Sequence, residues 1–411
     1  MEKKKPEHAP IVGFPSCDGE LTIGGIKISQ LADRVGATPF YAYDRELITA
    51  RIDEMRKYLP PNLKLHYAMK ANPMPAVVQH LSRIVDGLDL ASTGEMAIAL
   101  DTGMAPELIS FAGPGKTEQE LSQAIAAGVV INMESATEME KIAEIARRQN
   151  LAAKVAIRVN PDFELKSSGM KMGGGPQQFG VDAEQVPVML KRLAELGLDF
   201  IGFHIFSGSQ NLKEESLLEA QEKTLALAIS LSQHAPNAPK KVNIGGGYGI
   251  PYFPGDKAVN LKNLGDGLTV LLQEFHDVLP DTEVVIELGR FMVGEAGIYV
   301  TKVIDKKISR GETYLITDGG MHHHLAASGN FGQLIRKNYP VAIANKIDQS
   351  EKEQVNIVGC LCTPLDRLGD KMTLPVAEVG DYVVLFQSGA YGVSASPTAF
   401  LGHPAPKEVL V

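Results

Sequence analysis

The sequence predicts an α/β protein: a (β/α)8 barrel followed by a β domain. Three observations carry this reading. Eight short apolar runs recur between residues 65 and 288, and each of the first seven is followed by a segment able to form a helix. Beyond about residue 285 the strand-like runs are joined by Gly, Asp and Pro turns, with no clear long helix between most of them. The 40 glycines suit many tight βα turns and close backbone approaches to a ligand.

The apolar runs lie at 65–69, 87–91, 108–112, 129–133, 154–159, 200–206, 242–244 and 284–288. Continuous apolar strands that alternate with helices indicate a parallel sheet buried on both faces. Segments 95–102, 118–127, 134–148, 187–196 and 214–233 carry apolar residues at helical spacing with charges between them. Eight such units match the arithmetic of a closed barrel. The later strand-like runs are 298–308, 313–317, 355–358, 382–386 and 408–411, and residues 21–28 and 39–43 are also strand-like. The expected division is a barrel over 39–285 and a β domain from 11–38 with 286–411.

With 44% hydrophobic and 22% charged residues in 411, the chain has ordinary globular composition and is long enough for two domains. Its net charge of −9 gives no electrostatic case for gripping nucleic acid or an anionic membrane. The three cysteines, Cys17, Cys360 and Cys362, argue against a disulfide framework and for a reducing compartment. Residues 1–10 lack the apolar run of a signal peptide, and no stretch reaches the roughly 18–20 apolar residues of a membrane span. A cytoplasmic protein is expected.

Active sites of such barrels collect at the C-terminal ends of the strands. The first strand ends in Tyr67-Ala68-Met69-Lys70, and a desolvated amine there suits Schiff-base chemistry, although a lysine reaching solvent at the rim fits equally. The sixth strand carries His204 and Ser207: the imidazole could lie on an aromatic ring or be a core residue, and the hydroxyl could donate to phosphate. The seventh ends in Gly245-Gly246-Gly247, able to offer backbone N–H groups to a phosphate or simply to turn. The eighth ends in Glu287-Leu288-Gly289-Arg290. Its carboxylate could hold a protonated ring nitrogen and its guanidinium a phosphate, or the two could form a rim ion pair. Together these groups are the set that pyridoxal 5'-phosphate requires.

These motifs, in this order, resemble the fold-type III pyridoxal-phosphate decarboxylases, the ornithine and diaminopimelate decarboxylase group, from about Pro39 to the C-terminus. The resemblance implies an alanine racemase-like barrel plus β domain, with the first N-terminal strands joined to the latter. It implies that Lys70 binds the cofactor's aldehyde, that Asp89, Glu95 and Arg158 lie near the cofactor, and that His204 stacks on the pyridine. Ser207, Gly245, Gly246, Gly247, Gly289, Arg290 and Tyr391 then belong to the cofactor site, with Glu287 at the ring nitrogen. Cys362-Thr363-Pro364-Leu365-Asp366 looks like the family's cysteine segment, so Cys362 is implied as the proton donor. That cysteine would reach the partner's active site in a homodimer with shared sites. Cys360, two residues away, competes for the role.

Further motifs are similar to the butirosin-type glutamyl–carrier-protein decarboxylases and the exosortase-associated decarboxylases. They are Lys171-Met172-Gly173-Gly174, Gln178-Phe179-Gly180, Gly319-Gly320-Met321-His322-His323-His324 and Phe400-Leu401-Gly402-His403-Pro404. Thr363 stands where relatives that act on diamine-type amino acids carry an acid, and Asp318 or Asp366 could compensate. The expected reaction is α-decarboxylation of an amino acid, free or tethered to an acyl carrier protein. The alternatives are a decarboxylase of free diaminopimelate, ornithine or lysine, a racemase, and a non-catalytic cofactor-binding homologue. Asp318, His322, Thr363 and Asp366 are the candidate substrate contacts. Adjacent histidines on extended chain point to alternating faces, so residues 322–324 are not expected to bind a metal. Segment 164–175 is expected to be a loop at the barrel mouth.

Overall fold

The computed structural model describes residues 8–164, 170–171, 173–331, 333 and 336–411. The chain divides into two compact units. One comprises Arg51–Gly249 with Ala258–Gly289, and the other holds the first 50 residues, Ile250–Lys257 and Arg290–Val411.

The first unit is the barrel. Its parallel strands are Lys64–Ala68, Gly87–Leu90, Ile109–Phe111, Val130–Met133, Lys154–Asn160, Asp199–Ile205, Lys241–Gly246 and Glu283–Leu288. They follow one another in chain order, and the eighth closes on the first with Leu288 beside Tyr67. The short strand Val181–Asp182 adds beside Val159 and Asn160. Each run expected from the sequence is therefore a strand.

Local chemistry sets the outer helices. Ser92, Thr117, Ser135 and Asn260 cap the helices Thr93–Asp101, Glu118–Ala127, Ala136–Gln149 and Leu261–Val278, each accepting a backbone N–H. Gly128 and Gly197 end two helices at positive φ, where a Cβ would be strained.

The second unit holds a mixed sheet ordered Val341–Ile343, Tyr382–Leu385, Gly297–Ser309, Glu312–Thr317, Lys352–Val358 and Arg367–Pro375. Phe40–Tyr43 pairs antiparallel with the start of Gly297–Ser309 and parallel with Lys407–Leu410. The barrel expected to begin at residue 39 thus begins later, because this strand belongs to the mixed sheet. All four of its residues are buried, so it carries the same apolar signature as a barrel strand. Strands Ser16–Cys17, Glu20–Ile23 and Ile26–Lys27 form a small sheet of their own, followed by the helix Ile28–Val35. Leu21, Ile23, Ile28 and Leu31 pack with Phe40, Ile298, Val300 and Val384 in one core cluster.

Candidate active site

In the barrel unit, Lys70 sits in the single helical turn Met69–Ala71 directly after the first strand. The buried Tyr67 hydroxyl donates to the carbonyl of Asn72 at 2.9 Å, fastening that turn. Lys70 is half-buried, with Nζ 5.6 Å from the centre of the Phe206 ring. Gly289 ends the eighth strand against the same turn: a Cβ there would lie 2.8 Å from Ala71 Cβ and 3.0 Å from the Ala68 carbonyl. Only glycine lets these two strand ends approach so closely.

His204, Asn243 and Glu287 come from three adjacent strands. His204 Nε2 lies 3.0 Å from Glu287 Oε2, and Asn243 Nδ2 donates to the same oxygen at 3.3 Å. Burial alone would push the Glu287 carboxyl up. The contact with His204, with Lys70 and Arg158 nearby, outweighs burial and holds the group well below the ordinary carboxylate range. The same Asn243 uses Oδ1 to accept the Gly245 N–H at 2.8 Å. That bond fixes the backbone where the seventh strand ends. Gly245 and Gly247 have φ of 68° and 77°, and a Cβ on Gly246 would meet the Glu287 carbonyl at 2.3 Å. Ser207 is half-buried just beyond the sixth strand.

Asp89 is held by His66 Nδ1 at 3.3 Å and by the Ser110 hydroxyl, while Asn132 Nδ2 donates to Ser110 Oγ at 3.2 Å. Glu95 donates its backbone N–H to the cap residue Ser92 at Oγ, and its carboxylate accepts the Ala91 N–H at 2.7 Å. Arg158 pairs with Glu134 at 3.0 Å, and Phe179 lies against its guanidinium. Glu134 also accepts backbone N–H groups from Gly113 and Gly180. Burial raises its carboxyl, but Arg158 and Lys116 reverse the shift and keep it low. Sequence reasoning missed Glu134, Asn243 and the buried pair of Lys116 with Glu138 at 2.8 Å. The available signal was their position: polar residues on or just after barrel strands.

In the second unit, Arg290 donates to the Tyr252 hydroxyl at 2.8 Å and lies 4.6 Å from the Tyr391 ring centre. Its buried Nε has no hydrogen-bond partner among the described residues. Cys362 is exposed and Cys360 half-buried. The Thr363 hydroxyl accepts the Leu365 N–H at 3.3 Å, which closes a turn.

Both carboxylates expected to compensate for Thr363 are committed elsewhere. Asp318 accepts from the Thr301 hydroxyl at 2.6 Å, from the Lys302 N–H at 2.9 Å and from Thr38. The buried Asp366 accepts the N–H groups of Met321 at 2.6 Å and Leu361 at 2.8 Å. Both carboxylates thus help to hold the fold of the second unit. The histidine run does not act as a unit. His323 meets the Pro404 carbonyl and Tyr299 hydroxyl, and His324 meets Ser388 Oγ and the Ala327 N–H. Burial pushes His324 down to about 3.

The loop expected at 164–175 falls partly outside the described residues, since 165–169 and 172 are not among them. Met170–Lys171 pairs antiparallel with Gly208–Ser209.

The barrel groups fit a flat, anionic, aldehyde-bearing ring. An amine stands at one strand end and a carboxylate kept ionised at another, with a glycine cradle nearby. Asp89 Oδ2 and His204 Nδ1 are buried without hydrogen-bond partners among the described residues. Residues 45–294 match the model of the pyridoxal-dependent decarboxylase, pyridoxal binding domain. The chain belongs to the pyridoxal-dependent decarboxylases. It is 39% identical over 379 residues to the L-glutamyl-[BtrI acyl-carrier protein] decarboxylase of Niallia circulans, covering 91% of this chain and 88% of the relative. It is 34% identical over 397 residues to the diaminopimelate decarboxylase of Aquifex aeolicus, covering 96% and 91%. The diaminopimelate decarboxylase structure from M. jannaschii in complex with L-lysine superposes with a TM-score of 0.88 at 27% identity, covering 98% and 93%. This decarboxylase is thus a pyridoxal 5'-phosphate enzyme acting on an amino acid, with the fold-type III barrel and sheet domain. Among the described residues no helix is long and apolar enough to cross a membrane.

Proposed function

We propose that this decarboxylase removes the α-carboxylate of an amino acid whose distal end is neutral because it is joined to an acyl carrier protein. The observation that carries the reading is the commitment of Asp318, Asp366 and the Thr363 hydroxyl to internal hydrogen bonds. A free diamine-type substrate presents a distal ammonium that needs a facing carboxylate. None of these three groups supplies one. Arg336, a cation that could face a distal carboxylate, spends its guanidinium on Ser328, Asn338 and Arg367. The name of the Niallia circulans relative supports the tethered form.

The bound cofactor supplies an electron sink for the pair left when CO2 departs. The protein does the rest. Lys70 would hold the cofactor through its aldehyde. Glu287, kept ionised, would hold a proton at the ring nitrogen. A racemase of this barrel class would set an arginine there, and the carboxylate argues against that activity. His204 would offer a stacking face, and Asp89 and Arg158 would be among the residues that hold the cofactor. In the barrel unit, Gly245, Gly246, Gly247 and Ser207 would hold the phosphate. Cys362, whose side chain is exposed, donates the proton to Cα within a homodimer that shares its sites.

The test is CO2 release from free amino acids beside aminoacyl carrier proteins. We expect kcat/KM for a carrier-bound aminoacyl substrate to exceed that for free lysine, ornithine or diaminopimelate by at least about 10²-fold. Stronger turnover of a free basic amino acid would overturn the proposal. For Cys362→Ala we expect product formation to fall about 10²-fold, with cofactor absorbance unchanged. An undiminished rate assigns the donor elsewhere.

A further inference from the structure

The sheet unit contains a second cluster of chemically capable side chains, to which the proposed function assigns no role. Of the three consecutive histidines, two are fully engaged as described. His322 is not: its side chain is wholly buried, yet neither ring nitrogen has a hydrogen-bond partner among the described residues. A buried imidazole left in this state is costly unless something binds it. What faces it is a thiol and another imidazole. One ring nitrogen each of His322 and His403 and the sulfur of Cys360 all lie within 4.8 Å of one another. The Cys360 sulfur is 3.8 Å from His403 Nδ1 and 3.9 Å from Nε2, and the rings of His322 and His403 have centroids 5.1 Å apart.

We propose that His322, Cys360 and His403 bind a thiophilic divalent cation of the zinc class, leaving a fourth position for water or another ligand. The donor set decides the class: one thiolate and two imidazoles select zinc-like ions over magnesium or calcium, which want oxygen. The spacing is suitable too. In tetrahedral zinc sites with bonds of 2.0–2.3 Å, neighbouring ligand atoms lie roughly 3.5 Å apart. Small rotations of Cys360 and the half-buried His403 close the remaining distance. The Cys360 thiol gives its proton to solvent as the ion binds. The carboxylates of Asp318 and Asp366 stay with their fold-building partners, although the Asp318 carbonyl accepts the Cys360 S–H at 3.6 Å and would shape the sulfur's surroundings.

The three ligands come from separated parts of the chain. His322 follows the strand Glu312–Thr317, Cys360 follows Lys352–Val358, and His403 follows the turn Phe400–Gly402. The ion would therefore pin three connections at once, including the one that carries Cys362. The histidine run alone did not predict this, because only the fold brings residues 322, 360 and 403 together.

The test uses the cofactor-loaded enzyme, stripped with a chelator and dialysed against Zn2+ or Co2+. We expect one tightly held zinc per chain by elemental analysis. With Co2+ we expect the intense d–d absorption of a tetrahedral thiolate site, in the red and clear of the cofactor's own bands. Cys360→Ser and, as a second variant on a half-buried loop, His403→Gln should each weaken metal binding by at least about 10²-fold, as judged by competition with a coloured chelator. Cys362→Ser should leave the cobalt spectrum intact. Retained cofactor absorbance in each variant shows that the fold survives and separates this result from the decarboxylase assignment. Wild-type enzyme without stoichiometric zinc overturns the site. So does a cobalt spectrum that survives Cys360→Ser, or one lost in Cys362→Ser alone.

Discussion

Lys70→Ala is expected to abolish decarboxylation, with a fall of at least about 10³-fold, and to erase the absorbance band of the lysine-bound cofactor. The reason is positional. Lys70 occupies a turn pinned by the Tyr67 hydroxyl on one side and crowded by Gly289 on the other. Another amine cannot easily take its place. Its side chain is half-buried at a strand end, so truncation leaves the barrel core intact and the far-ultraviolet circular dichroism should not change. A variant that keeps the wild-type spectrum and turnover would remove Lys70 from the mechanism.

Glu287→Gln is the second large effect. The amide preserves shape and can still meet Asn243, yet it cannot hold a proton on the ring nitrogen. We expect the rate to fall about 10²–10⁴-fold while the cofactor still binds. The same substitution has a stability signature. The Glu287 carboxyl is held below its ordinary value of 4.5 by His204, Lys70 and Arg158, which outweigh burial. A depressed folded-state pKa means that the unfolded chain binds the proton more readily. The stabilisation is thus present above about pH 4.5 and is lost as pH falls toward the lower folded value. Urea titrations between about pH 3 and 6 should show a steep acid limb for the wild type and a flatter one for Glu287→Gln. Parallel limbs in the two proteins would show that the charge is not stabilised by its surroundings.

Much of the barrel was legible in the sequence because strands buried on both faces leave unbroken apolar runs, and their helices carry charges at a period that strands cannot share. The same logic misplaced Phe40–Tyr43, which is equally buried but pairs in the mixed sheet. Strand Arg367–Pro375 was not anticipated, since Gly369, Asp370 and a Lys371 at positive φ break its alternation. At the site, Lys70, His204 and Glu287 announced themselves as polar residues at the ends of apolar strands. Glu134 did not, because its meaning depends on Arg158, 24 residues on, reaching back to it. The internal partners of Asp318 and Asp366 were hidden for a related reason. A carboxylate's chemistry depends on which backbone N–H groups it accepts, and those come from segments that only the fold brings near.

The pairing of Phe40–Tyr43 with the start of Gly297–Ser309 sets an order of assembly during synthesis. An early-emerging strand must wait until every barrel residue has left the ribosome before its neighbour exists. At elongation speeds of about 5–20 residues per second, that wait is on the order of 10–50 s. The barrel has time to close first, while an apolar ribbon stays without its sheet. Nascent chains of this enzyme should therefore depend on a holdase that shelters the amino-terminal segment, and ribosome-bound fragments stalled before residue 297 should engage it most strongly.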